Sequence, residues 1–128
     1  MNDLNDFEQK MHQKYPEMLQ GLTMDMTKSC LAWGFECAEG WNDIIENMLE
    51  QLQIESNNQK EQVVIEQIKE KFGTLRVYHS GLYSDNVNQI VRRAELKSAE
   101  TCEVCGKKGE VRGGGWIKTL CDEHANNE

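Results

Sequence analysis

Two pairs of metal-type ligands stand near the end of the sequence: Cys102-Glu103-Val104-Cys105, followed at once by Gly106, and Cys121-Asp122-Glu123-His124, with fifteen residues between the pairs. A spacing of two lets both donors of a pair reach one ion when the chain turns tightly, and Gly106 supplies the backbone freedom such a turn uses. Three thiolates and one imidazole are a complete tetrahedral zinc complement. A catalytic zinc ordinarily keeps three protein ligands and one open position, so the expected Zn2+ is structural. Between the pairs, Glu110-Val111-Arg112 and Trp116-Ile117-Lys118-Thr119 flank Gly113-Gly114-Gly115, the pattern of a hairpin with a glycine turn. Residues 100–128 therefore read as a zinc-ribbon-like module. It has too few apolar side chains for a core of its own, and metal binding, worth about 10–16 kcal/mol in comparable sites, has to supply its folding free energy.

The remaining residues, 1–99, read as an acidic α+β body. A chain of 128 residues has room for one small domain plus a metal-clipped appendage. Hydrophobic residues make up 38%, and no apolar run approaches the roughly 20 residues of a membrane helix, so no membrane partner is expected. The opening Met1-Asn2-Asp3-Leu4-Asn5-Asp6 is acidic and polar, unlike a secretory leader, which predicts a cytoplasmic protein. Five cysteines in such a compartment predict metal ligation and burial rather than a disulfide framework. The net charge of −8 is unevenly spread: residues 1–89 hold 7 Lys+Arg against 15 Asp+Glu, and residues 90–128 hold 7 of each. Such a body repels phosphate backbones, so nucleic acid is not its expected partner.

Leu4, Phe7, Met11 and Tyr15 share one helical stripe that Pro16 ends, with Asp3 and Asp6 placing the start near Asn2 or Asp3. Residues 17–40 are broken by Gly21, Gly34 and Gly40 and read as a short helix plus loop. Trp41, Ile44, Ile45, Met48, Leu49 and Leu52 give the strongest helical period in the chain. The polar run Glu55–Lys60 then reads as a loop. Gln62–Lys69 and Thr74–His79, separated by Glu70-Lys71-Phe72-Gly73, predict a β-hairpin with Leu75 and Val77 on one face and Arg76 and Tyr78 on the other. Ser84 or Asp85 caps a final helix to about Ala99, with Val87, Ile90, Val91, Ala94 and Leu96 as its apolar members. The fold class is thus α+β, with helices packed on a β-hairpin and a C-terminal metal module.

Other candidates for chemistry are weak. Cys30 and Cys37 have neither redox nor knuckle spacing and read as buried thiols. His12 and His79 lack a nearby partner in sequence. Glu123 beside His124 suggests a general base, yet no His-x-Glu element precedes Cys102, so the zinc-deaminase pattern is not met. Arg92, Arg93, Lys97, Lys107, Lys108, Arg112 and Lys118 suggest a basic patch around Trp116, on a region that is neutral overall.

The runs Trp33-Gly34-Phe35-Glu36-Cys37, Gly40-Trp41 and Glu70-Lys71-Phe72-Gly73-Thr74-Leu75-Arg76-Val77-Tyr78, with the two ligand pairs, resemble a group of small proteins encoded by phages and bacterial mobile elements. The resemblance covers roughly residues 30–125. It implies a mobile-genome context and assigns no catalytic residue. Small acidic proteins of that origin often act by covering a host protein's surface, including inhibitors of CRISPR and other defence systems. The expected function is a non-enzymatic, zinc-stabilised factor that binds a host or phage protein. The alternatives are a nucleic-acid-binding or transcription-modulating zinc ribbon and, third, a zinc hydrolase or nuclease using Asp122 or Glu123.

Overall fold

The computed structural model describes residues 3–126 and has a mixed α+β architecture. Helix α1 spans Asp6–Lys14. It starts later than its acidic residues suggest, because Asn5 is the cap: Asn5 Oδ1 accepts the Glu8 N–H at 2.8 Å, and Glu8 Oε1 accepts the Asn5 N–H at 2.9 Å. This reciprocal pair satisfies two backbone donors that a helix start leaves open, which Asp3 does not do. The other start considered, Asn2, lies outside the described residues. Glu8 Oε2 accepts the Phe35 N–H at 2.6 Å, so one buried carboxylate ties α1 to the segment that follows.

Residues 17–41 form three 3-10 turns, Gln20–Thr23, Cys30–Trp33 and Glu39–Trp41, around the two-residue strand β1, Phe35–Glu36. Helix α2 spans Asn42–Gln59. Trp41, Ile45, Met48, Leu49 and Leu52 are buried, and Ile44 is partly buried against the same core. The helix continues through Glu55–Gln59, where the sequence reads as loop. Ser56 Oγ donates to the Leu52 carbonyl and accepts the Val63 N–H at 3.0 Å, so a buried hydroxyl bonds both the helix and the next strand. Lys60, with φ +57, ends the helix in the left-handed region.

Strands β2, Val63–Lys71, and β3, Thr74–Gly81, pair antiparallel, and β1 lies parallel on the other side of β2. Lys71 faces Thr74, which leaves Phe72-Gly73 as a two-residue turn with φ of +54° and +84°. Positive φ at both central positions is what the right-handed twist of two strands demands of a short turn. Leu75 and Val77 enter the core; Arg76 and Tyr78 face solvent, and His79 is half-buried.

Helix α3, Asp85–Ser98, is capped by Ser84 Oγ, which accepts the Val87 N–H at 3.1 Å. Val87, Ile90, Val91 and Ala94 pack inward, whereas Leu96 lies on the solvent side of the helix, exposed rather than part of the core. Two α3 side chains serve β3 directly: Ser98 Oγ accepts the Leu75 N–H at 2.9 Å, and Glu95 Oε2 accepts the Val77 N–H at 3.0 Å. The tail carries β4, Glu110–Arg112, antiparallel to β5, Lys118–Leu120, and then α4, Asp122–Asn126. Trp116 and Ile117, assigned above to a strand, lie in the connecting loop. Among the described residues no helix is long and apolar enough to cross a membrane.

Candidate metal centre

The turn after α3 brings Cys102 and Cys105 to one side of a small cleft, and β5 with the first turn of α4 brings Cys121 and His124 to the other. Gly106, at φ +81, takes the left-handed conformation the first turn needs, and its N–H donates to the Cys102 carbonyl at 2.9 Å. Mutual bonds fix the base of the cleft: the Cys102 N–H donates to Lys107 O at 2.7 Å, and the Glu103 N–H to Thr119 O at 3.0 Å.

The donor atoms of Cys102, Cys105, Cys121 and His124 all lie within 4.8 Å of one another. Cys105 Sγ and Cys121 Sγ are 3.7 Å apart, Cys102 Sγ is 3.5 Å from His124 Nδ1, and Cys121 Sγ is 3.2 Å from the same nitrogen. Around a tetrahedral zinc-sized ion, thiolates sit about 3.8 Å apart and a thiolate and imidazole nitrogen about 3.6 Å. The spacing fits such an ion, with Nδ1 of His124 as the imidazole donor. All four expected ligands converge.

The surroundings act unequally on the thiols: Cys102 and Cys121 are shifted towards the thiolate and Cys105 away from it. Burial works against the Cys102 thiolate, but backbone hydrogen bonds from Cys121, Cys105 and Val104 outweigh it and pull its pKa down to about 6. A backbone bond at His124 is the largest influence lowering Cys121. Beneath the site Leu120 and Ala125 pack on Cys102 and Cys121, so the module's apolar interior is little more than the ligands themselves.

The module sits against the body through contacts that sequence spacing does not reveal. The Gly40 N–H donates to Glu103 O at 2.7 Å, and a Cβ at Gly40 would collide with the carbonyl oxygens of Cys102 and Glu103. Glu103 Oε2 accepts the Ala38 N–H at 3.1 Å, Trp41 Nε1 donates to Thr101 O at 2.9 Å, and Thr119 Oγ1 donates to Gly73 O at 2.6 Å. The runs Gly40-Trp41 and Phe72-Gly73-Thr74 thus line the seam between the body and the tail that carries the Cys/His cluster. The signal in the sequence was the glycines, which mark places where another backbone comes close.

The other candidates are dispersed. Asp122 is paired with Arg112 at 2.9 Å on the surface, and Glu123 is exposed, so neither carboxylate is buried beside the ligands. Cys30, expected to be buried, is exposed; its short turn leaves the side chain outside while Leu31 and Ala32 fill the interior. Cys37 is partly buried, and burial pushes its thiol up to about 12. The basic residues do not gather around Trp116. Lys97 and Lys108 line a separate cleft with Glu100, Arg112 turns to Asp122, and the groove beside Trp116 is lined by Glu70, Phe72, Gly114, Gly115 and Ile117. Comparison with protein-family models, curated proteins and solved structures finds no match for this chain, so the site stands on its own geometry.

Proposed function

We propose that the chain is a non-enzymatic, zinc-stabilised protein-binding factor, its acidic body joined to a zinc ribbon formed by β4, β5 and the two ligand pairs. The observation that carries this reading is the closed donor set. Cys102, Cys105, Cys121 and His124 supply four ligands at tetrahedral spacing, which leaves no coordination position for substrate or water. Three thiolates favour zinc among divalent ions available in cells. An ion held this way builds a surface, and two of the chain's exposed aromatics, Trp116 at 73% and Phe72 at 64%, flank one groove where module meets body. Exposed aromatics of this size mark contact sites on small proteins.

The phage and mobile-element resemblance supplies a target class, a host protein such as a CRISPR-type defence nuclease whose basic channel the acidic body complements. The test is capture from host lysate with zinc-loaded and chelator-treated protein. A stoichiometric protein partner retained only by the loaded form is expected. Failure to recover any partner overturns the reading.

A second reading, nucleic-acid binding, draws on the outward sheet face, where Lys69 is opposite Arg76 and Gln67 opposite Tyr78. It requires binding to an oligonucleotide that falls steeply with salt.

A further inference from the structure

The turn between β2 and β3 carries an unexplained cost. Phe72 has φ +54, a region that Asn and Gly occupy readily and bulky side chains avoid, and its ring is left in solvent. A two-residue turn with this geometry is normally built from Asn-Gly or Asp-Gly. Strain held at an exposed aromatic gives the fold nothing, and it is the kind retained where a side chain must be displayed.

What Phe72 is displayed beside narrows the ligand. It shares a groove of about 290 Å3 with Trp116, Ile117, Gly114, Gly115 and Glu70. Among the described residues Glu70 is the one charged residue lining it. Its Oε2 accepts the Gly73 N–H at 2.7 Å, which fixes the carboxylate, and its Oε1 takes no hydrogen bond among the described residues. Phe72 already attracts a cation: Lys71 Nζ lies 5.6 Å from the ring centroid. Trp116 is the stronger cation acceptor of the two rings. Two aromatic faces, an aliphatic wall at Ile117 and an anchored carboxylate fit a side chain with an apolar stem and a planar cation. The net charge of −8 agrees: residues 1–59 hold 11 Asp+Glu against 3 Lys+Arg while residues 60–128, which build the groove, hold 11 of each, so the long-range pull on a basic partner comes from the first half of the chain.

We infer that the Phe72–Trp116 groove is the anchoring site for an arginine side chain on the surface of a partner protein. The guanidinium stacks on Trp116 and turns its edge to Glu70 Oε1, while the stem packs on Phe72 and Ile117. This deepens the protein-binding reading and rests on it for the identity of the partner as a protein. The metal is part of the site's construction: β5 begins immediately after Ile117, and Thr119 Oγ1 bonds Gly73 O in the turn that carries Phe72.

The test uses the zinc-loaded full chain and three probes, read by amide and indole NMR shifts: a short Gly-Ser peptide with one arginine, the same peptide with glutamate in its place, and oligothymidylate. Saturable shifts centred on the Trp116 indole N–H, Phe72 and Ile117 are expected with the arginine peptide alone. Trp116→Ala and Glu70→Gln should each weaken them roughly tenfold. Phe72→Asn should weaken binding similarly while leaving the thermal midpoint equal or higher, because Asn suits the turn. Lys71→Gln should tighten binding a few-fold, as it removes a competing cation. The inference is overturned if the glutamate peptide or oligothymidylate produces the same shifts, if Lys71→Gln weakens binding, or if the arginine peptide perturbs only the acidic helices. The two readings fail separately. Lysate capture that persists in Trp116→Ala removes the groove and keeps the protein-binding function, whereas arginine binding without any captured partner does the reverse.

Discussion

The body and the tail of this molecule reach order by different means. In the body, Trp41, Leu49, Leu52, Ile65, Ile68 and Leu75 are almost entirely removed from water, and elements distant in sequence share one core. Each such side chain contributes about 1.5–3 kcal/mol on burial, an upper figure because unfolded chains are partly collapsed. In the tail the interior amounts to Cys102, Leu120 and Cys121 with Ala125 against them. A core that small does not offset the roughly 1–2 kcal/mol per residue of backbone entropy that ordering costs. On the proposed metal-centre reading, this 128-residue chain extends its surface without enlarging its core, with donor atoms in place of apolar mass.

The strongest test of that contrast is metal removal. Chelation, or Cys121→Ser, should unfold the tail, withdrawing about 10–16 kcal/mol of metal-linked free energy, while the helices of the body persist. Circular dichroism with metal analysis checks this, and the contrast breaks if both regions melt in one transition. Leu49→Ala is the reciprocal experiment. It should lower global stability by about 2–5 kcal/mol in denaturant titration yet leave one bound metal per chain.

Gly40→Ala acts on the seam. The added methyl meets two carbonyl oxygens of the ligand turn, so a loss of roughly 2–4 kcal/mol is expected, together with weaker metal retention against a competing chelator. Unchanged metal retention would mean that the module holds its shape without the body.

The smallest effect belongs to His79. Burial lowers its pKa below the ordinary histidine value, and Glu95 partly restores it. The unfolded chain therefore takes up the proton first as pH falls. The stability tied to neutral His79 is fully present above the unfolded value and is lost as pH drops through the folded one. Between pH 7.5 and 5 the body's helix signal should lose more thermal stability in the wild type than in His79→Gln. Equal losses would remove His79 from the account.

The four ligands and the α2 stripe were legible because each rests on a local period: two residues between donors, and three or four between apolar side chains. What escaped depended on distant partners. Glu55–Gln59 is polar enough to be a loop, but Ser56 has a buried partner in Val63 N–H, and that contact keeps the helix going. Strand β1 is two residues long and exists because Ile68 and Lys69 lie alongside it. Trp116 was grouped with basic neighbours in sequence, and the fold set it beside Phe72, forty-four positions away. The left-handed backbone at Phe72 gave no signal, since nothing in the residue itself asks for it.

Strand β3 ends the three-stranded sheet, and its outward amides at Leu75 and Val77 are taken by Ser98 and Glu95. Helix α3 therefore doubles as a guard against self-association, since a second chain finds those two docking points for strand addition already filled. Phe72 and Trp116 thus stand in water beside a strand whose amides at Leu75 and Val77 offer no free donors to a second copy.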